Sequence, residues 1–390
     1  MPTEQTPTFS HIINNNNSKN NSSNGGNIPT LVRTSFTAIR TAIDDEQRTL
    51  LAATISNLVA SYAREISNES FSKFMQHDVN KRIFALIHSP EVQHKLAGIV
   101  VIDSLIDFQG EDNTAKTTRF ANYLRIVLPG NDPQISIFAA KALGRLSKPG
   151  GTLAAEFVEF EVKRALEWLQ AEENRNEAKR FAAITVLKEL TISSPTLIFS
   201  DIPQILDLLW TALHDPKVNI RDCGAEVLST CLQLMHKRES HFRRLWYGKI
   251  YDTAEQGLAS SLNPDSLHGY LLVQRQLFLH AGRFMDQEYL NASAAIIRLH
   301  EHNNALIRKT VIKMYPVLAD YNPIKFVEFY LSICITSLIQ EIKSSGRSEY
   351  QDRKEQAFLA IGQVAKSINL SILPFLDTIF GVIKDDLKKG

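Results

Sequence analysis

Cysteine is nearly missing from these 390 residues: Cys223, Cys231 and Cys334 are the only three, and no two stand in a CxxC pair. That excludes a disulfide framework. The opening MPTEQTPTFS also lacks the apolar core of a signal peptide, so reduced thiols in a cytosolic or nuclear compartment are expected. Charge of one sign is missing as well, with 43 Lys and Arg against 42 Asp and Glu and a formal net charge of +1. No bulk field therefore draws the chain to nucleic acid or to acidic membrane. The longest apolar run, FYLSICITSLI at 329–339, falls short of the ~20 residues a membrane span needs and reads as a core helix. Period-two alternation is absent too. Strands are not expected, nor the strand–turn–helix elbow that exposes a serine or cysteine nucleophile.

What is present falls into two parts. HIINNNNSKNNSSNGGN at 11–27 is almost wholly Asn, Ser and Gly, with little apolar area to offset ordering entropy, so residues 1–30 read as a disordered low-complexity segment. Residues 31–390 are rich in helix formers with apolar residues at i, i+3, i+4 and i+7. FANYLRIVLPGNDPQISIFAAKALGRL at 120–146 shows the unit: helix, Pro/Gly/Asp break, helix.

The unit recurs. A residue early in the second helix, small at all but one position, is found at Ala52, Ala97, Ala139, Ala182, Gly224, Gly269, Val311 and Ala357, with gaps of 45, 42, 43, 42, 45, 42 and 46. A period in the low forties with two helices per unit marks HEAT or armadillo repeats, and a small residue there lets helices approach to ~8–10 Å. The expected fold is all-α, an α–α superhelix of HEAT/armadillo type with about eight helix pairs.

Capping supports this register. Ser89-Pro90, Asp132-Pro133, Ser194-Pro195, Asp215-Pro216, Asn263-Pro264 and Asn322-Pro323 each join an N-cap oxygen to a proline that needs no donor, and each predicts a helix start. Arg221 and Arg308, and more loosely Lys354, precede the anchors where HEAT units often carry a base. They are either surface charge or a ladder pairing with turn aspartates such as Asp132 and Asp215.

Candidate sites are few. Cys223, Cys231, His236 and His241 match no zinc spacing, and the two thiols sit in an apolar helix, so core cysteines are expected. His300 and His302 read as solvated loop histidines. HKRESHFRRLWYGK at 236–249 carries Lys237, Arg238, Arg243, Arg244, Trp246, Tyr247 and Lys249. It suits either single-stranded nucleic acid or the first turn of a repeat with Trp246 packed inside. In FVEFEVKRALEWL, Phe157, Phe160, Ala165 and Trp168 are expected to face a neighbouring repeat, leaving Glu159, Lys163 and Glu167 wet. No catalytic, cofactor-binding or metal residue is assigned, and no cofactor or small-molecule substrate is expected.

RFANYLRIVLPGNDP (119–133), FVEFEVKRALEWL (157–169) and KRFAAITVLKELTISSPT (179–196) resemble, in order and spacing, the N-terminal HEAT region of TOR, the target-of-rapamycin kinase family. HDPKVNIRDCGAEVL (214–228) and SLHGYLLV (266–273) resemble the repeats that follow. The resemblance spans roughly residues 40–390, most specifically 118–230, and leaves out the Asn-rich head. It implies a very large Ser/Thr kinase of the phosphatidylinositol-kinase-related class. Its solenoid would hold a Raptor-type or Rictor-type adaptor, and a second TOR chain, in a growth-signalling complex. That complex would be cytoplasmic, with peripheral association at the vacuolar or lysosomal membrane or in the nucleus.

This chain carries no Asp-Phe-Gly, no phosphate-cradling glycine loop and no catalytic-loop Asp/Asn set. The expected role is thus a non-catalytic scaffold, with an independent HEAT adaptor (transport receptor or phosphatase scaffold) as the alternative and a nucleic-acid solenoid third. The stripe Ile372, Phe375, Leu376, Ile379, Phe380 and Ile383 is lightly capped by Lys388 and Lys389. It predicts a further repeat beyond Gly390, the chain being a fragment.

Overall fold

Asp132 shows how these helices begin. Its extended backbone lets the carboxylate accept the N–H groups of Gln134 (2.8 Å) and Ile135 (3.3 Å), with Pro133 at the first helical position. Asn263 and Asn322 do the same for the helices opened by Pro264 and Pro323. Ser194 also precedes a helix, but its hydroxyl turns inward to Ser147 Oγ at 2.6 Å. Ser89 and Asp215 depart from the expected pattern. Each takes the N–H two residues on, at Glu91 and Lys217, and the helix starts two residues after the proline.

A computed structural model describes residues 28–110, 112–148, 151–170, 176–238, 242–343 and 348–388. The low-complexity reading of residues 1–30 falls almost wholly outside them, and the first helix opens at Ile28. The chain divides into two compact units, 1–127 and 128–390.

The first unit holds α1 (Ile28–Arg40), α2 (Asp45–Glu65), α3 (Asn68–Phe74), a π-helical segment (Met75–Asn80), α4 (Lys81–Ile87), α5 (Val92–Leu105) and α6 (Asn113–Val127). α1 packs on α2, α2 on α5, and α4 on both α5 and α6. Ile39, Ile55, Ile83, Ile87 and Ile99 are wholly buried between them, each worth roughly 1.5–3 kcal/mol. Ala52 lets α5 come close enough for Ser104 Oγ to donate to its carbonyl at 3.1 Å.

The second unit continues with α7 (Pro133–Leu146), α8 (Gly151–Gln170), α9 (Glu177–Ser193), α10 (Pro195–Ile198), α11 (Ile202–Leu213), α12 (Val218–Lys237), α13 (Phe242–Ser260) and α14 (Pro264–His280). Then follow α15 (Met285–Ile297), α16 (Ala305–Tyr321), α17 (Pro323–Phe329), α18 (Leu331–Lys343), α19 (Ser348–Ile368) and α20 (Leu376–Leu387). Short 3-10 turns at Phe199–Asp201, Gly282–Phe284 and Asn369–Phe375 link three of the joints. No strand occurs among the described residues.

Within this unit α7, α9, α12, α14, α16 and α19 pack each on the next, forming an inner row, with the first helices of each hairpin outside. The anchors fall where the period put them. Ala52, Ala97, Ala139, Ala182, Val311 and Ala357 are buried on α2, α5, α7, α9, α16 and α19, and Gly224 and Gly269 on α12 and α14. The fold class is all-α, built of HEAT-type helical hairpins.

On α8, Phe157 and Ala165 are buried and Glu159, Lys163 and Glu167 exposed, as their spacing requires. Phe160, expected inside, is 52% exposed. The inward stripe runs instead through Phe157, Val158, Glu161, Val162, Ala165 and Leu166, and Trp168 sits half-buried beneath the Arg164 guanidinium. Ala182→Phe will overpack the inner row and cost about 1–3 kcal/mol, whereas Lys163→Ala stays within about 0.5 kcal/mol. Urea denaturation of both variants checks the register, and equal losses would refute it.

Near the last described residues, Ile372, Ile379 and Val382 are buried while Leu370, Leu373 and Phe380 are largely exposed. Two stretches, Pro195–Leu213 and Asp352–Asp385, are long and apolar enough by length and composition to cross a bilayer. A 3-10 turn interrupts each. Some of their apolar residues, such as Ile205 and Leu209 or Val364 and Ile372, are buried in the second unit's packing, while Leu359, Leu370, Leu373 and Phe380 of the second stretch are exposed.

Candidate protein-binding surface

The turns of the second unit are tied by buried charge. Arg180 on α9 donates Nε to Asp215 Oδ2 at 2.6 Å, across to the α11–α12 turn. Arg221 on α12 is fully buried. Its Nη1 reaches the Asp215 carbonyl (2.5 Å) and Asp265 Oδ1 (2.8 Å), and its Nε donates to His268 Nδ1 (3.0 Å).

Three consecutive hairpins are thereby linked through Arg180, the Asp215–Arg221 pair of positions and Asp265 with His268. Asp265 stands just before anchor Gly269, as Arg221 stands before Gly224. Further on, Glu341 of α18 accepts from Arg308 Nε (3.0 Å) and pairs with Arg353 (3.1 Å). Arg221 and Arg308 are thus paired bases, but their carboxylate partners are the helical Asp265 and Glu341 and not turn aspartates, and in the last repeat Arg353, one residue before Lys354, makes the buried pair. Of the two turn aspartates, Asp215 joins the ladder and Asp132 caps α7.

Breaking such a pair leaves a buried charge unpaired, which costs far more than the intact pair stabilises. The ladder therefore fixes the register of neighbouring layers and leaves their outer faces free of that duty.

The thiols lie inside. Cys231 and Cys334 are wholly buried and Cys223 partly so. Burial pushes Cys231 up to about 12, and burial followed by Glu226 pushes Cys223 up to about 11. These are poor nucleophiles. His241 lies outside the described residues. No three His, Cys, Asp or Glu side chains converge among the described residues.

His300 and His302, expected to be solvated, are partly buried and hold the α15–α16 turn. His300 Nδ1 lies 2.9 Å from the Ile297 carbonyl, and His302 Nδ1 accepts the Asn304 N–H at 3.0 Å. Trp210 packs against His214 (5.7 Å) and Tyr270 (5.9 Å).

The basic–aromatic stretch is dispersed among partners within the chain. Arg238 lies over Phe199 at 4.1 Å, Lys249 pairs with Asp207 at 2.6 Å and Arg243 donates to the His236 carbonyl at 3.2 Å. Tyr247, not Trp246, enters the core, since the buried stripe of α13 runs Tyr247, Ile250, Tyr251, Ala254 and Leu258. Trp246 stays half-exposed beside Phe199. Among the described residues, no row of parallel rings for stacked bases results.

Among the described residues, what remains exposed is helix surface and short connections, with apolar residues such as Leu245 and Ile324 on helices and Leu262 in the connection between α13 and α14. Such faces bind by area and shape.

No protein-family model matches the chain. It is 40% identical over 333 residues to the serine/threonine-protein kinase tor1 of Schizosaccharomyces pombe, covering 85% of this chain and 14% of that protein. The chain is homologous to the N-terminal region of the TOR kinases. The TOR of Arabidopsis thaliana is 31% identical over 335 residues, again 85% of this chain and 13% of the relative. The chain thus spans about one seventh of the curated TOR proteins it matches. Among solved structures, Kap121p bound to Pho4p superposes with a TM-score of 0.60 at 14% identity, covering 92% of this chain and 36% of that one. At that identity the match concerns the helical-repeat fold alone.

Proposed function

We propose that this chain is the adaptor-holding scaffold of a TOR-type kinase. In this reading a Raptor-type or Rictor-type subunit lies along its helical faces and is positioned for a kinase carried elsewhere. The observation that carries the reading is the 40% identity to tor1 across 85% of the chain, on a fold whose polar clusters serve as struts between layers. A repeat array offers long faces to a partner and joins neighbouring repeats by short-range contacts. The working compartment in this reading is the cytoplasm, with membrane or nuclear association through the complex.

The test uses purified full chain immobilised on a sensor. A recombinant Raptor-type or Rictor-type subunit is expected to bind at micromolar strength or tighter, and the chain with ATP and a protein substrate to transfer no phosphate. Failure of both subunits to bind would sink the reading. A salt-dependent oligonucleotide shift in their place would move it to the nucleic-acid class.

A further inference from the structure

One groove of the second unit is left over from this account. It is a half-open space of about 640 Å³, bounded by the end of α12, the start of α13, the Gly282–Phe284 turn and the start of α15. Arg243, Arg244 and Arg283 line it. Neither Arg244 nor Arg283 makes an ion pair among the described residues.

Its far wall is fixed. Gly282 turns with φ +55°, open to glycine, and the Tyr321 hydroxyl lies 2.7 Å from both the Gly282 carbonyl and Asp286 Oδ1, with one proton to donate between them. Among the described residues the one carboxylate on the rim, Asp286, is therefore already engaged. On the other side lies Tyr247. It is 2% exposed, and its hydroxyl has no hydrogen-bond partner among the described residues although its ring packs on Phe284 at 5.6 Å. A buried hydroxyl without a partner costs about 1–3 kcal/mol. A bound acceptor would remove that cost.

The groove is thus rich in donors. Guanidiniums donate and never accept, and burial raises the Tyr247 phenol so that it keeps its proton. Among the described residues, three guanidiniums against one carboxylate leave about +2, which a phosphate monoester at about −2 neutralises and a single carboxylate does not. Arg forks and phosphate oxygens match in geometry as well.

We propose that this groove binds a phosphoserine or phosphothreonine on a segment of a protein partner, with Arg244 and Arg283 gripping the phosphate and Tyr247 donating from the floor. The open side admits a peptide backbone. The choice of a protein partner rests on the scaffold reading; the anion chemistry does not.

The experiment uses the full chain and an immobilised peptide library with a fixed central phosphoserine or phosphothreonine, beside the same library unphosphorylated. Selective retention on the phosphorylated library is expected. Arg244→Gln with Arg283→Gln should weaken it at least about tenfold. Tyr247→Phe should weaken it several-fold at a melting temperature that is equal or higher, since the variant loses an unpartnered buried hydroxyl, which removes misfolding as the cause. Lys384→Gln, remote from the groove, should leave it unchanged. Equal retention on both libraries, or full binding by Tyr247→Phe, overturns the proposal. So does binding of inositol hexakisphosphate with no retention on the phosphopeptides, which would make the groove a small-molecule site. Phosphopeptide binding by a chain that captures neither adaptor would leave this inference standing and remove the adaptor reading.

Discussion

Gly269→Ala will unfold the α11–α14 seam, while Gly224→Ala, one repeat earlier at the same anchor, will not. A Cβ on Gly269 would sit 1.9 Å from the Leu213 carbonyl oxygen and 2.9 Å from its carbon. Those are backbone atoms at the end of α11, and they cannot swing aside. A Cβ on Gly224 would meet the Ala212 Cβ at 3.5 Å, an ordinary contact. The first change should cost about 3–5 kcal/mol, since a hard overlap in a packed seam exceeds usual overpacking. The second should be neutral or gain up to ~1 kcal/mol, because alanine replaces glycine inside a helix. Urea denaturation followed by circular dichroism at 222 nm checks both. Equal midpoints would mean that α14 does not approach Leu213 so closely.

The second large effect is a loss of stability in mild acid. Burial, then the charges of Arg221 and Lys313, hold the His268 imidazole at about 4, against 6.5 when free. Its Nδ1 accepts from Arg221 Nε, so the folded ring is neutral. Between pH 6.5 and about 4 the unfolded chain takes up a proton that the folded one refuses, and stability falls as pH falls. The loss from pH 7 to 4.5 should reach about 2–3 kcal/mol from this ring alone.

His268→Gln keeps an acceptor for Arg221 and removes the titration, so the variant should lose that much less over the same interval. Other groups act in both proteins alike. His214 and His280 are held low by burial, and Asp222 is raised by burial with an opposite sign. The difference between the two proteins isolates His268. Parallel curves would show that the ring is not held neutral.

Much of this was written in the chain. A small residue once per period is demanded wherever two helix backbones approach closely, so seven of the eight anchors could be placed by size and spacing and Val311 by spacing alone, and all eight are buried. Choices between adjacent residues were not legible. Trp246 and Tyr247 are both aromatic and differ by 100° around a helix, and only the packing of α13 decides which turns inward. Arg353 and Lys354 pose the same problem on α19. Ser89 and Asp215 look like N-caps, yet each accepts the N–H two residues on, at Glu91 and Lys217, and the helix begins one residue later still.

The ladder was half visible: Arg221 stood out by position, while Asp265 and His268 are more than forty residues away and become its partners only when hairpins stack. The donor groove was not visible at all. Its walls come from residues 236–287 on separate elements, and no local pattern joins them.

The tryptophans draw a practical consequence from the division of the chain. Trp168, Trp210 and Trp246 all belong to residues 128–390, and Trp210 is wedged beside His214 and Tyr270. Intrinsic emission excited at the indole band therefore watches the larger unit alone, and the smaller one contributes no indole signal. A melt recorded by indole emission alone will miss whatever residues 28–127 do. Any gap between that trace and a backbone-sensitive one will measure how far the two halves melt separately.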